Sequence, residues 1–316
     1  MAEASARDDL VMAFAVAGLG VRGRLIRLGA AVDDIIGRHD YPPSVSALLA
    51  EAVALAAMLG SSLKFDGKFI LQTKTDGAVD MIVADYVSPG GIRGYARFDK
   101  GRLQALGPAP RQADLLGKGH LAMTVDQGPG MERYQGIVPL GGGDLTAAAH
   151  AYFAQSEQIP TRLRLAAGPV LMPGQAEAWR AGAIMVQHLP AAGAASPIAL
   201  SAGDAPPGAA TEAFVESDDW RRARLLLETV EDHEILDPLL SPERLLYRLY
   251  HEEGVAAFPA APLKRHCSCA RATIEGLLRS FSDADRTAMV EDGAITVTCE
   301  FCATGYRFDP AEVTAA

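Results

Sequence analysis

The segments KRHCSCARAT (264–273) and TCEFCATGYRF (298–308) contain all four cysteines of this 316-residue chain. Cys267 and Cys269 form a Cys-X-Cys pair, and Cys299 and Cys302 form a Cys-X-X-Cys pair. Four sulfur ligands match a closed tetrahedral Zn²⁺ site, which leaves no position for a substrate or an activated water. The two pairs therefore predict one zinc ion per chain in a small C-terminal domain, and they argue against a zinc hydrolase.

The sequence around the second pair predicts the local structure of this domain. ITVTCEFCATGYRF (295–308) has the pattern of a strand, a tight turn with Gly305 and a second strand, which is the form of a zinc knuckle. The residues between the pairs predict one or two helices, and Ser282 or Asp283 is available to cap the second.

A redox role is a second possibility for the same cysteines. Residues two apart in an extended chain have Cα atoms about 6.6 Å apart, so a Cys267–Cys269 bridge would be strained and readily reduced. Cys299 and Cys302 can close across a turn with less distortion. Either bridge is incompatible with four thiolates on zinc, so oxidation would eject the metal and unfold a domain that depends on it. Spacing alone favours a structural zinc clip, because closed Cys₄ sites are usually structural.

Composition limits the partners of the chain. Its formal charge is −10, with 29 Lys and Arg against 39 Asp and Glu, so phosphate backbones and anionic lipids repel it. The start, MAEASARDDLVMAFAV, lacks the basic and apolar regions of a secretory signal, and no uncharged apolar run reaches the roughly 18 residues of a membrane span. We expect a soluble cytoplasmic protein that binds neither nucleic acid nor membrane. In a reducing cytosol, clustered cysteines are metal ligands or redox sensors.

Residues 1–190 predict an α+β domain with a mostly antiparallel sheet. A helix is expected from Tyr41 to about Leu59, with Ser44 as a cap and Gly60 as its end. Alternating apolar residues predict strands at 69–73, 81–86, 92–98, 120–128, 132–140, 161–168 and 181–189, and a helix at 144–158.

The chain then changes character twice. Residues 191–212 are dominated by Ala, Gly and Pro and predict a flexible loop. A helical linker is expected at 213–257, with helices at 217–232 and 241–253, and the zinc-binding domain at 258–316. The apolar faces of these helices are predicted to contain Leu225, Leu226, Val230, Leu245, Leu246, Leu249 and Tyr250, and Ser217, Ser241 and Pro242 mark the helix starts.

Histidines add little to this interpretation. His266 is adjacent to Cys267 and is interpreted as a solvent-exposed neighbour rather than a ligand. His39, before Asp40 and Tyr41, is interpreted as lying at the end of a helix.

Several segments along the chain resemble those of the 33-kDa redox-regulated chaperone family (heat shock protein 33). Members of this family are cytosolic holdases of bacteria. The matching segments are HDYP (39–42), LKFDG (63–67), IRGYAR (92–97), ERYQGIV (132–138), the YF-SEQ-PTRL pattern within 152–163, LYRLYHEE (246–253), and the terminal CSC and CEFC. The Ala/Gly/Pro loop, most pronounced over 191–210, is longer than the family pattern.

The resemblance implies a chaperone that is inactive when reduced and zinc-bound through Cys267, Cys269, Cys299 and Cys302. Peroxide with heat, or hypochlorous acid, would form the Cys267–Cys269 and Cys299–Cys302 disulfides and release zinc. The C-terminal region would then unfold and the linker would lose stability. The protein would form a homodimer and hold unfolding client proteins without ATP, as a non-enzyme.

Two other functions are compatible with cysteine pairs alone. A zinc-ribbon nucleic-acid binder is disfavoured because residues 263–316 contain six Lys or Arg against eight Asp or Glu. A dithiol oxidoreductase using Cys299 and Cys302 is disfavoured because such motifs begin a helix, whereas a strand is expected before this one.

Overall fold

The computed structural model describes residues 8–63, 66–128, 131, 133–157, 159–189 and 216–313. Fifteen strands in this part of the chain form three sheets. They are β1 Leu10–Val16, β2 Val21–Leu28, β3 Lys68–Thr75, β4 Val79–Val87, β5 Gly91–Phe98, β6 Lys118–Asp126, β7 Tyr134–Gly141, β8 Thr161–Val170, β9 Ala178–His188, β10 Val255–Ala257, β11 Ala261–Pro262, β12 Lys264–Arg265, β13 Val290–Glu291, β14 Ala294–Thr298 and β15 Gly305–Phe308. The predicted loop at 191–212 lies outside the described residues.

The helices connect and cover these sheets. They are α1 Ala30–Ile36, α2 Pro43–Ser62, α3 Lys100–Ala105, α4 Gln112–Leu116, α5 Leu145–Tyr152, α6 Asp218–Glu228, α7 Asp232–Leu236, α8 Pro242–Tyr250, α9 Arg271–Arg279 and α10 Asp283–Ala288. A π-helical turn, Phe153–Glu157, extends α5, and single 3₁₀ turns lie at Ala17–Leu19, His251–Glu253 and Pro310–Val313.

The first sheet has the order β10-β1-β2-β9-β8, with β11 also paired to β1, and the second has the order β12-β5-β4-β3-β6-β7. Strands β13, β14 and β15 form the third. Pairing is antiparallel throughout the described residues except between β12 and β5. The predicted α+β class with mostly antiparallel sheet is therefore confirmed.

Helix α2 packs among residues of both large sheets and is buried on all sides. Its length and composition would suit a membrane span, but 78% of its most apolar window lies inside the protein. Two sequence predictions are wrong here. Pro42 is the N-cap and Ser44 makes no capping hydrogen bond. Gly60 does not end the helix, which continues to Ser62. A Cβ at position 60 would lie 2.5 Å from the Tyr86 ring, so this glycine permits close packing.

The linker helices cover the other face of the first sheet. Side chains of β1, β2 and β9 pack there against Trp220 and Leu227 of α6 and against the predicted apolar face of α8. The single helix predicted at 217–232 is wrong, because α6 ends at Glu228 and α7 begins at Asp232 with its own capping box. Leu225 does not join the apolar face; it is 49% exposed. Ser217 and Ser241 cap their helices as predicted.

A buried arginine of the first sheet holds the linker. Arg27 donates hydrogen bonds to the carbonyl oxygens of Glu234, Asp237 and Leu240, at 3.0, 2.6 and 2.8 Å. Arg180 adds a 2.6 Å bond to the Leu236 carbonyl. These two guanidinium groups satisfy backbone acceptors at the end of α7 and in the loop after it, so the linker is attached by polar as well as apolar contacts.

The segment after α8 returns to the sheets before it reaches the cysteines. Strands β10 and β11 pair with β1, and β12 pairs with β5. Residues 267–313 then form a small lobe, here called the metal lobe. Its buried apolar residues are Ile274, Leu278, Ile295, Phe308 and Val313. The domain boundaries given above, including the one at 258, remain predictions.

Candidate metal centre

The four cysteine sulfurs form one cluster. All four Sγ atoms lie within 4.8 Å of one another. Cys267 and Cys269 are separated by 3.3 Å, Cys267 and Cys299 by 3.7 Å, and Cys269 and Cys302 by 3.3 Å, with every thiol free. Tetrahedral zinc with bonds of about 2.3 Å requires sulfur atoms about 3.8 Å apart. The cluster therefore has the ligand type and number of a zinc site, with sulfur separations from 3.3 Å to at most 4.8 Å on either side of that value.

Two local structures bring the pairs together. The first pair lies between β12 and α9, and the second lies in the turn between β14 and β15. In that turn the Cys299 N–H donates to the Thr304 carbonyl and the Ala303 N–H donates to the Cys299 carbonyl, at 3.0 and 2.8 Å. Ala303 adopts a left-handed conformation with φ of 52°. The predicted strand–turn–strand is confirmed, although the left-handed residue is Ala303 and Gly305 begins β15.

Three of the four thiols have shifted pKa values, and the shifts differ in direction. Burial raises the pKa of Cys269 to about 12 and also raises that of Cys299. The pKa of Cys302 falls to about 6 despite burial, because of its hydrogen bonds with Thr304. Four adjacent thiolates repel one another, so a divalent metal is needed to stabilise all four in the charged form.

Tyr306 supports the first pair from β15. Its hydroxyl lies 3.3 Å from the Cys269 sulfur and 3.4 Å from the Cys269 carbonyl oxygen. A phenolic O–H beside a metal-bound thiolate fixes the orientation of that ligand. His266 is not among the clustered ligands. Its backbone N–H donates to the Ile92 carbonyl at 2.8 Å, which places His266 against the second sheet.

A single arginine of β5 connects the metal centre to the large domain. The Arg93 guanidinium lies 3.9 Å from the centre of the Phe301 ring and donates to the Ser268 hydroxyl at 3.3 Å. Arg93 also forms an ion pair with the buried carboxylate of Asp85, at 2.6 Å. Ser268 lies between the first two cysteines and Phe301 between the last two. Arg93 therefore contacts a residue within each cysteine pair from a position anchored in the sheet.

Further contacts surround Arg93. Arg38 donates to the Cys302 carbonyl at 3.5 Å, His39 Nε2 lies 3.5 Å from the Phe301 carbonyl, and the Tyr95 ring is 6.3 Å from that of Phe301. Sequence reasoning missed these residues as part of the site. The available signal was that HDYP and IRGYAR, which contain His39, Arg93 and Tyr95, are conspicuous matches far from the cysteines.

Comparison with known proteins identifies the family of this chain. The model of the Hsp33 protein family matches residues 9–309. The chain belongs to the Hsp33 family. A 33 kDa chaperonin of Caulobacter vibrioides is 45% identical over 307 residues, covering 96% of this chain and 95% of the relative. A 33 kDa chaperonin of Pseudomonas paraeruginosa is 36% identical, covering 93% and 89%.

A solved structure agrees with the Hsp33 assignment at the level of fold. The crystal structure of a 33 kDa chaperonin (heat shock protein 33 homolog) from Thermotoga maritima superposes with a TM-score of 0.73 at 20% identity, covering 96% of each chain. The predicted α+β fold is therefore shared with an Hsp33 structure.

Proposed function

We propose that this chain is a redox-regulated chaperone of the bacterial cytoplasm that holds unfolding proteins without ATP. The observation that carries the proposal is the convergence of four free cysteines beside Arg93, which contacts Ser268 and Phe301, the residues within the two pairs. In the reduced state one zinc ion is bound by Cys267, Cys269, Cys299 and Cys302. The ion supplies the cross-link that this lobe of few buried apolar residues needs in order to stay folded.

Oxidation changes the bonding of the four sulfurs. A bridge between Cys267 and Cys269 removes two electrons from that pair of thiolates, and hydrogen peroxide accepts them together with two protons from solvent and leaves as two waters. Cys299 and Cys302 react in the same way with a second peroxide. A sulfur in a disulfide is no longer a thiolate ligand, so zinc is released.

Loss of zinc is transmitted through the contacts around Arg93. When the metal lobe is unfolded, Phe301 and Ser268 no longer contact the Arg93 guanidinium. The preceding segment then loses its attachment, and the linker helices above the first sheet are destabilised. Their departure exposes apolar residues of β1, β2 and β9, which bind partly unfolded clients. The active form is proposed to be a homodimer and to have no enzymatic activity.

The test is to measure zinc content, free thiols and aggregation suppression on one sample before and after peroxide. Reduced protein is expected to contain one zinc and four thiols and to leave a heat-unfolded client unprotected. Oxidised protein should contain neither zinc nor free thiols and should suppress aggregation. A variant with all four cysteines changed to serine is the matched control, because peroxide should not alter its activity. Equal suppression by reduced and oxidised parent protein would contradict the proposal.

A further inference from the structure

One segment covers an edge of both large sheets. Residues 255–266, here called the edge strap, comprise β10 and β11 against β1 and β12 against β5. Between the paired residues, the Phe258 N–H donates to the Ala13 carbonyl at 2.9 Å. The strap ends where Cys267 begins, so the first metal ligand and the covered edges share one stretch of backbone.

The edge strap is weakly attached for its length. Most of its side chains are exposed, including Phe258 at 53%, and Leu263 is the buried one, packed in the main core. Pro259 and Pro262 have no N–H to donate. Backbone hydrogen bonds, the buried Leu263, the partly buried Val255 and an ion pair between Arg265 and Asp34 hold the segment, and each contributes only a modest net stabilisation. The strap therefore depends on its flanking attachments, the linker helices and the metal lobe.

The covered and uncovered sheet edges differ in sequence. The far edges of the two sheets are β7 and β8, and among the described residues no strand pairs beyond them. β7 contains Pro139 and β8 contains Pro169, and proline prevents the addition of a further strand. β1, with the sequence LVMAFAV, contains neither proline nor charge and is largely buried on both faces. Without the strap it becomes an apolar strand with an open edge.

We propose that β1 binds client proteins by strand addition once the edge strap has left. This inference rests on the proposed chaperone function and assigns it a surface. The partner is an extended segment of an unfolded protein. Its backbone supplies hydrogen bonds that do not depend on sequence, and its alternate side chains contact Leu10, Met12 and Phe14, which the linker helices cover in this structure. Main-chain recognition suits a protein that must bind many unrelated clients.

Amide hydrogen exchange on the unmodified protein tests the proposal. The probe is a reduced, carboxymethylated model protein, which stays unfolded, added to oxidised zinc-free protein. Exchange in residues 10–16 is expected to accelerate on activation and to slow again when the probe binds. Strand β3 is paired on both sides and serves as the internal reference. Peptides from 10–16 that stay protected on activation, or stay unprotected with probe bound, would overturn strand addition.

A proline variant tests the same edge functionally. The Ala13 carbonyl faces the strap, and the N–H and C=O of one strand residue point to the same side. The N–H that Ala13→Pro removes therefore also faces the strap. The variant blocks this edge without breaking the hydrogen bonds between β1 and β2. The matched control is Ala167→Pro in β8. The Leu163 N–H points away from β9 and donates to His150. Ala167 lies four residues later in the same strand, and backbone N–H groups alternate sides along a strand, so its N–H also points away from β9.

Oxidised Ala13→Pro protein should require about fivefold more chaperone for half-maximal suppression of aggregation, whereas Ala167→Pro should match the parent. Parental activity in Ala13→Pro would overturn the inference. Failure of oxidised parent protein to bind any client would instead contradict the proposed function. Protection of residues 10–16 that rises with protein concentration in the absence of probe would assign the edge to a second copy of this chain and refute client binding there.

Discussion

Replacement of Phe301 by alanine should loosen the metal lobe from the large domain while zinc stays bound. The ring accepts the Arg93 guanidinium at 3.9 Å and neighbours Tyr95 at 6.3 Å between ring centres. The cation–π contact is worth about 0.5–2 kcal/mol and the aromatic pair about 0.5–1.5 kcal/mol. Removing both weakens docking by about 1–3 kcal/mol, which is roughly 5- to 150-fold in the docking equilibrium.

Phe301 is a better target than Arg93 itself. Deleting Arg93 would leave the buried Asp85 carboxylate without its counter-ion, and that cost would be mixed with the loss of docking. In Phe301→Ala the ion pair and all four cysteines remain. The zinc content of the reduced variant should therefore stay at one per chain.

The assay is amide exchange of the edge strap in reduced, zinc-loaded protein. The His266 N–H donates to the Ile92 carbonyl directly before the lobe begins, so weaker docking should accelerate its exchange, by up to the same 5- to 150-fold. Leu277→Ala is the control, since Leu277 is 57% exposed in the same lobe. Unchanged exchange at residues 264–266 would refute a docking role for the ring. Equal acceleration in the control would show general loosening of the lobe instead.

Four further outcomes are expected. His266→Ala should keep one zinc per chain, measured with a chromogenic chelator, and loss of metal would reject the four-cysteine site. Leu245→Gln, at a side chain 1% exposed, should give the reduced protein partial aggregation-suppressing activity, because it weakens linker packing by about 2–5 kcal/mol. Removing zinc from reduced protein should give fast amide exchange across residues 267–313 but not in 68–75, reversed by adding zinc back. Burial raises the pKa of Glu51 from 4.5 to about 7, so between these pH values the folded state binds a proton that the unfolded state does not. The free energy of unfolding should therefore fall as pH rises from 4.5 to about 7. Glu51→Gln should flatten this pH dependence, measured by urea denaturation.

Local signals in the sequence predicted much of the architecture. Serine caps, proline at the first helical position and alternating apolar residues depend on neighbouring residues, so Ser217, Ser241 and most strands were placed correctly. The failures occur where distant packing overrides local preference. Gly60 lies inside its helix, where its missing side chain leaves room for the Tyr86 ring, and Leu225 follows helical spacing yet is exposed. These outcomes depend on residues far away in sequence.

The clustering of the four cysteines was predictable because four cysteines in two pairs have few other uses. Their surroundings were not. Arg93 is 175 residues from Ser268, and nothing in its local sequence indicates a zinc lobe as its partner. The edge strap was also missed, because VAAFPAAPLKR has two prolines and little alternation, which conceals three short pairings with distant strands.

The position of Arg93 between the two cysteine pairs gives the large domain a way to compare them. The hydrogen bond of Arg93 depends on the position of the segment around Ser268, and its cation–π contact depends on the position of the segment around Phe301. A disturbance confined to one pair breaks one Arg93 contact and leaves the other in place, whereas disturbance of both pairs breaks both Arg93 contacts. Under the proposed redox switch this arrangement would act as a coincidence detector: oxidation of one pair would leave one of the two Arg93 contacts in place, and only oxidation of both pairs would release both.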